Sequence, residues 1–461
     1  MFRLGRSTSI TALAWSLTAA LGLSACAPGG DAAPSGAAPT GRVETDPARM
    51  GNLTLRVLDT FSGGVDDAWM DDVVEEFGRK YPNIKVKRTS QGWGDAMREM
   101  PLKLKSSDPP DIVPPNNGWQ SLGALVKGGL VLNLDRYAEA HGWDKRLPPS
   151  IRRQHAFSAD GTRMGTGSLF GMPVARASMI EVHYNRSLLR RFGEGGTPTT
   201  LAAFESDMAA AKKAGVTPLC FGNADQAGIT TPLFSLMNSY SSQEDISRLV
   251  YSQRRIPVRD TGFPKAVATF KKWASKGWLT DDYAGIPAPD AAQEFIDGKC
   301  LYHFNYSGSL PLSPGEGKNL GSFVLPRAGG GIPLATSGST SNLSVAAKTR
   351  HPDAAAAFLD FAASRKAAEL AVRHSAMPML EPGLKGPKDN PLFADDVANA
   401  AQVTQHDASV PYLDWATPTL LGTLQRRTQD LLAGRTTVDA VVRAVQQDDD
   451  AFTAKQKKSN P

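Results

Sequence analysis

The sequence lacks the short motifs that mark the common classes of enzyme. Its 461 residues contain no Gly-x-Ser-x-Gly turn, no His-Glu-x-x-His, no Walker A loop and no Gly-x-Gly-x-x-Gly. The 7 histidines are dispersed without the spacing of metal ligands. We interpret the carboxylate pairs Asp71-Asp72 and Asp281-Asp282 as exposed charges. We therefore predict no catalytic residue, no metal ligand and no cofactor.

The chain also lacks a strong charge of either sign. It has 51 Lys and Arg residues against 46 Asp and Glu residues, a formal net charge of +5. No long basic run occurs outside the C-terminal tail, where Lys455, Lys457 and Lys458 lie. A nucleic-acid-binding surface would cluster its basic residues on one face or helix. We interpret the charge as solvated surface and predict no nucleic-acid partner.

The N-terminus has the composition of an export signal. Arg3 and Arg6 precede an uncharged stretch, residues 7–25, which is short and rich in Ser and Thr for a membrane span. Its end, residues 23–26 (LSAC), resembles the lipobox of bacterial lipoproteins. Residues 1–25 are thus predicted to be a signal peptide, and the resemblance implies lipidation of Cys26. The alternative is an ordinary signal peptide with Cys26 near its cleavage point.

Residues 26–50 follow as a predicted flexible tether. They are rich in Ala, Gly, Pro, Ser and Thr, and such a segment buries too little surface to offset its ordering entropy. A lipid, a tether and a folded body imply a protein anchored to the outer face of the cell membrane.

Cysteine is scarce, with 3 residues in the chain. Apart from Cys26 these are Cys220 and Cys300, and an even remainder in an oxidising compartment favours a disulfide. Both cysteines lie in apolar, strand-like runs. Two buried free thiols are the alternative, and a separation of the Cα atoms above ~7 Å would exclude the bridge.

From residue 53 onward, strand and helix patterns alternate. Residues 53–58 (LTLRVL) alternate as a strand, and Trp69, Val73 and Phe77 recur at helical spacing in the helix that follows. Further strands are predicted at 84–87, 109–113, 216–221, 300–304 and 343–346. The first strands and helices predict a parallel sheet with helices on both faces. Beyond residue 420 the pattern is helical, and we expect no further strand in the C-terminal third.

Six ordered segments carry a family likeness over nearly the whole mature chain. They are residues 109–113 (PPDIV), 169–173 (LFGMP), 182–189 (VHYNRSLL), 193–204 (GEGGTPTTLAAF), 295–300 (FIDGKC) and 344–361, which includes PDAAAAFLDF. Their order and spacing resemble the extracellular solute-binding proteins of sugar ABC importers, the class that includes maltose-binding protein.

The resemblance implies a type II periplasmic-binding-protein-like fold, with two α/β lobes joined by crossover hinge segments. On that template the N-terminal lobe is residues 51–175 plus 327–378, the C-terminal lobe is residues 176–326 plus 379–450, and residues 451–461 form a flexible tail. The crossovers fall near 175–177, 325–331 and 377–383, where Pro and Gly are frequent, as in hinges that absorb backbone rotation.

Ligands in such folds bind beyond the carboxyl ends of the strands, and sugars favour clefts with aromatic rings and fixed polar groups. Loops after strands, together with the segment 412–418 (YLDWATP), supply the candidates. The predicted ligand-binding residues are Asp59, Phe61, Asn116, Asn117, Trp119, Asp225, Gln226, Asn305, Tyr306 and Trp415, with Trp93 and Arg176 as weaker candidates. The alternatives are capping by Asp59 and core packing by Trp119 and Trp415.

The likeness implies capture of a sugar or oligosaccharide between the lobes and delivery to the permease subunits of an ABC importer by a monomeric protein. A second hypothesis is another solute, such as a peptide, a polyamine or an anion; clustered Arg in the cleft would favour an anion. A third is a secreted glycoside hydrolase, which requires two carboxyl groups facing each other ~5–9.5 Å apart.

Overall fold

The computed structural model describes residues 41–174, 178–193, 195–251, 256–312, 315–338, 342–378 and 383–458. The predicted signal peptide, the lipidation of Cys26, residues 26–40 of the predicted tether, the candidate Arg176, the predicted crossover 175–177 and residues 379–382 of the last predicted crossover lie outside these residues. Residues 41–50, which we also assigned to the flexible tether, pack on the fold instead: the amide of Glu44 donates to Asp353 at 3.0 Å, and Pro47 is buried in a short 3-10 helix.

Strands and helices of the described residues alternate through most of the chain. The strands are β1 (Leu53–Asp59), β2 (Ile84–Ser90), β3 (Ile112–Val113), β4 (Ala156–Phe157), β5 (Ser168–Leu169), β6 (Met172–Pro173), β7 (Ser178–Asn185), β8 (Thr217–Cys220), β9 (Cys300–Tyr306), β10 (Leu320–Phe323), β11 (Ala335–Gly338), β12 (Asn342–Val345) and β13 (Ser409–Val410). The α-helices are α1 (Gly64–Lys80), α2 (Trp93–Lys105), α3 (Leu122–Lys127), α4 (Asp135–His141), α5 (Pro149–Gln154), α6 (Arg186–Phe192), α7 (Leu201–Lys213), α8 (Thr230–Tyr240), α9 (Gln243–Tyr251), α10 (Phe263–Ser275), α11 (Ala288–Ile296), α12 (Pro352–Ala362), α13 (Arg365–Arg373), α14 (Pro391–Gln405), α15 (Leu420–Leu432) and α16 (Val438–Lys458).

The first lobe is built on a sheet with the strand order β2-β1-β3-β12-β6. Strand β1 pairs in parallel with β2 on one side and with β3 on the other, which confirms the parallel strands predicted from the sequence. Strand β12 returns from far along the chain and pairs antiparallel with β3 and β6. The carboxyl ends of β1 and β3 therefore lie at the same edge of this sheet.

The second lobe has a mixed sheet in the order β13-β11-β7-β9-β8, with β10 also paired to β7. The expectation of no further strand in the C-terminal third was wrong. Strand β13 pairs in parallel with β11, and helix α14 precedes it. A strand of two residues is too short to show the alternation on which the prediction depended.

The amphipathic pattern of α1 fixes its packing. Trp69, Val73 and Phe77 are fully buried, as their spacing predicts. Phe77 packs edge-on against Phe358 of α12, with ring centroids 5.2 Å apart. The alanines at 354–357 of α12 are buried, and such small side chains let the helix approach the sheet closely.

A disulfide joins the ends of two neighbouring strands in the second lobe. Cys220 at the end of β8 is bonded to Cys300 at the start of β9, with Cα atoms 5.6 Å apart. The structure thus confirms the bridge and excludes the alternative of two free thiols.

The last helix is longer than the sequence pattern predicted. Helix α16 continues to Lys458, so residues 451–458, which we assigned to a flexible tail, are helical. None of the helices in the described part of the chain has the length and apolar character needed to cross a bilayer.

Candidate ligand-binding cleft

A cleft of about 460 Å³ lies between residues that follow strands of both sheets. The first lobe contributes Thr60 directly after β1, Trp93 at the start of α2 and Asn116 after β3. The second lobe contributes Ala227, Thr230, Phe234, Tyr306, Ser309, Tyr412, Asp414, Trp415, Leu421 and Gln425. We call these thirteen residues the cleft.

Aromatic side chains dominate the walls of the cleft. Trp93 is 40% exposed, and it stands on the first-lobe side. On the second-lobe side the rings of Tyr412 and Trp415 are 4.9 Å apart, and Tyr306 lies 6.4 Å from Tyr412. An exposed aromatic face such as that of Trp93 can stack on the C–H face of a sugar ring.

The Trp415 side chain is buried and tightly packed. It is 2% exposed, and the backbone of Gly118 approaches it so closely that a Cβ at Gly118 would lie 2.7 Å from the Cβ of Trp415. Gly118 also has a φ of +91°, which disfavours any other residue there. The Trp415 carbonyl accepts a hydrogen bond from the Trp119 amide at 3.2 Å. Trp415 therefore forms part of the cleft wall, and Trp93 offers the larger exposed aromatic surface.

One carboxylate faces this apolar surface. Asp414 lies in the 3-10 turn Leu413–Ala416 and is 9% exposed. Burial raises its pKa to about 6. None of the described residues lining the cleft is lysine or arginine. When ionised, Asp414 can therefore accept hydrogen bonds from hydroxyl groups of a ligand.

Tyr306 lines both the cleft and a second pocket of about 350 Å³ in the second lobe, as do Ala227 and Ser309. Burial raises the pKa of its phenol to about 12, so the hydroxyl stays protonated at neutral pH. The second pocket also contains Asp225 and Asn305, which the sequence analysis selected. The carboxylate of Asp225 accepts hydrogen bonds from the backbone amides of Ala227 at 3.1 Å and Ala288 at 3.3 Å.

The side chain of Asp59 is engaged inside the first lobe. It is fully buried, and it accepts hydrogen bonds from Arg88 Nε at 2.6 Å and Ser90 Oγ at 2.7 Å. The neighbouring Phe61 is also buried and packs edge-on against Trp69, with centroids 5.1 Å apart. Neither residue lines the cleft, whereas Thr60 between them does.

Three further predicted residues are placed outside the cleft lining. Asn117 is fully buried and accepts a hydrogen bond from Asn342 at 2.8 Å. Trp119 packs against Phe452, with ring centroids 5.2 Å apart. Gln226 donates to the side chain of Gln429 at 2.9 Å. Of the ten predicted residues, Asn116, Tyr306 and Trp415 line the cleft.

Several residues of the cleft were not predicted from the sequence. These are Thr60, Ala227, Thr230, Phe234, Ser309, Tyr412, Asp414, Leu421 and Gln425. For Tyr412 and Asp414 a signal existed, because they precede Trp415 in the segment that the analysis singled out. Phe234 lies on α8, so a search for residues that follow strands does not find it.

Comparison with known proteins identifies the class that this fold and cleft define. Residues 62–369 match the family described as bacterial extracellular solute-binding protein. The chain belongs to this family of bacterial extracellular solute-binding proteins.

Individual relatives are distant. A multiple sugar-binding protein of Streptococcus mutans is 23% identical over 338 residues, which cover 71% of this chain and 75% of the relative. The solved structure of a probable secreted solute-binding lipoprotein from Streptomyces coelicolor is 18% identical, covers 88% of this chain and 99% of its own, and has a TM-score of 0.69. A chitin oligosaccharide binding protein is 19% identical, covers 88% and 100%, and has a TM-score of 0.66. These structures share the two-lobe fold.

Proposed function

We propose that the protein captures a sugar or oligosaccharide in the cleft and delivers it to an ABC importer. The observation that carries this proposal is the composition of the cleft: five aromatic side chains, one carboxylate, and neutral amide and hydroxyl groups. This combination suits a ligand with apolar ring faces and several hydroxyls. The multiple sugar-binding protein and the chitin oligosaccharide binding protein support the same ligand class.

The charges of the cleft favour a neutral ligand. An anion would lack a countercharge, because no lysine or arginine is among the described lining residues. A polycation would meet one carboxylate, Asp414. Glycoside hydrolysis requires a pair of carboxyl groups flanking the scissile bond, and the described lining residues supply one.

The rest of the proposal concerns membrane attachment and movement. Cys26 carries a lipid, and residues 27–40 tether the folded body to the outer face of the membrane. The two lobes close on the ligand, which shifts the population toward a closed state. The monomeric protein then docks on the permease subunits.

A thermal-shift screen of the mature, untagged protein tests the proposal. The panel contains mono- and oligosaccharides, amino acids, short peptides, polyamines and phosphate esters. A ligand at 100 times its dissociation constant adds about 2.7 kcal/mol to the free energy of unfolding, which raises the midpoint measurably. Stabilisation by saccharides alone supports the proposal. Stabilisation by polyamines or peptides but by no saccharide contradicts it, and release of products from a stabilising saccharide would indicate a hydrolase.

The active saccharide is then titrated against two variants by calorimetry. Asp414→Asn removes the cleft carboxylate, and Asp225→Asn removes a carboxylate of the neighbouring pocket as the matched control. We expect a loss of affinity of at least tenfold for Asp414→Asn, since hydrogen bonds to charged groups contribute about 1.5–3 kcal/mol. If both variants bind the saccharide as tightly as the wild type, the ligand binds elsewhere.

A further inference from the structure

A second polar cluster lies inside the second lobe, away from the cleft lining. Glu181 and His183 are two residues apart on β7, so their side chains leave the same face of the sheet. Helix α14 covers this face and contributes Asp396. Glu181 and His183 are fully buried, and Asp396 is 1% exposed. One oxygen of each carboxylate and one ring nitrogen of His183 lie within 4.8 Å of one another.

The two carboxylates are held in place by three donors, from the loop after β9, from β10 and from α14. The amide of Gly308, in the loop after β9, donates to Asp396 at 3.0 Å, and Ser322 Oγ on β10 donates to it at 2.5 Å. Asn399 Nδ2, one turn further along α14, donates to Glu181 Oε1 at 2.9 Å. Outer partners of this kind fix the orientation of side chains that bind metal ions.

Other atoms of the same cluster have no hydrogen-bond partner among the described residues. They are the two ring nitrogens of His183. Leaving a buried polar atom unpaired is unfavourable by about 1–3 kcal/mol, and more for a charged group. Such atoms in a folded protein require an explanation, and a bound ion or water is a common one.

The two carboxylates lie side by side in the same buried site. Two buried anionic groups repel each other, so the site must hold a proton or a cation.

We propose that Glu181, His183 and Asp396 bind a divalent transition-metal ion, with zinc as the best match. The two carboxylates together carry two negative charges and the imidazole is neutral. A divalent ion therefore makes the buried cluster uncharged overall. Imidazole together with carboxylate suits zinc, whereas calcium and magnesium prefer oxygen ligands alone. Three protein ligands leave room for one water in a tetrahedral site.

The ion would have a structural role. It would join the central strand β7 to α14, and through Gly308 it would support the loop that presents Ser309 to the cleft. Because the cluster is closed to solvent, the ion would be incorporated as the protein folds.

The test uses the untagged mature protein with its disulfide intact. The protein is unfolded in guanidinium and refolded either with excess zinc or with EDTA, then freed of loose metal by gel filtration. Metal content is measured by mass spectrometry, the unfolding midpoint by calorimetry and the first coordination shell by X-ray absorption. We expect about one zinc per chain, a higher midpoint after refolding in zinc, and nitrogen and oxygen ligands near ~2.0–2.2 Å including an imidazole.

Two variants and a control make the assignment specific. His183→Gln and Asp396→Asn each remove one ligand, and we expect a loss of zinc affinity of at least tenfold. Asp207→Asn is the matched control, because Asp207 is a buried carboxylate of the same lobe that accepts a hydrogen bond from Tyr302 at 2.7 Å. It should lower stability while leaving the zinc content unchanged.

Several outcomes would overturn the assignment. They are the absence of bound zinc in wild-type protein that was refolded with excess zinc, and zinc retention by His183→Gln equal to that of the wild type. If the variants fail to fold, the absorption spectrum of wild type decides, since a first shell without imidazole would exclude His183.

Discussion

Trp93→Ala is the substitution whose effect on binding follows most directly from the structure. The ring stands at the first position of α2 and lines the cleft with 40% of its surface exposed. A tryptophan side chain buries at most about 250 Å², so roughly 100 Å² is available for contact with a ligand. At about 25 cal/mol per Å² this contact contributes roughly 2.5 kcal/mol, or roughly 70-fold in affinity. A ligand that covers half of that area loses roughly eightfold.

Calorimetric titration of the stabilising saccharide measures the effect. Leu102→Ala is the matched control, because Leu102 lies on the same helix, is 74% exposed and does not line the cleft. Both variants remove exposed apolar surface and should unfold close to the wild-type midpoint. An affinity loss below twofold for Trp93→Ala, or the same loss for both variants, would refute the reasoning.

Three further substitutions test the lobes and the cleft. The double variant Cys220→Ser with Cys300→Ser removes a disulfide that closes a loop with a sequence separation of 80 residues. Chain entropy predicts that the free energy of unfolding, measured in denaturant, falls by about 4.5 kcal/mol, and an unchanged midpoint would contradict this. Asp59→Asn breaks the buried pair with Arg88 and should lower stability by roughly 3–5 kcal/mol while the folded protein keeps its affinity; selective loss of affinity would make Asp59 a ligand residue. Asp414 has its pKa raised from 3.8 to about 6, so its favourable contribution is complete only well below pH 3.8 and is lost as pH rises from there through 6. Relative to Asp414→Asn, wild type should therefore lose roughly 2 kcal/mol between pH 4 and 7, and parallel stability curves would exclude this titration.

The sequence predicted the fold well where an element is long and periodic. Trp69, Val73 and Phe77 mark α1 through their spacing alone, because one buried helix face requires that period. Strand β13 was missed, since two residues carry no period and the strand exists through its pairing with β11. The antiparallel return of β12 was not predicted either, as it depends on contacts between residues distant in the chain.

The cleft was harder to predict, because the side of a loop that faces the ligand depends on tertiary partners. The Asp59 side chain is paired with Arg88 inside the first lobe and does not reach the cleft. Arg88 lies close because its strand, β2, pairs with β1. Trp119 is covered by Phe452 from the last helix. The segment around Trp415 lines the cleft. The sequence could not show that the Trp415 ring is buried in the cleft wall rather than exposed to the cleft.

A crystal structure of the protein with the stabilising saccharide tests the central claim most directly. The account predicts saccharide between the two lobes, with ring carbons within about 4.5 Å of Trp93 and a hydroxyl within about 3.2 Å of the Asp414 carboxylate. A saccharide bound outside the cleft, in contact with neither residue, would contradict it.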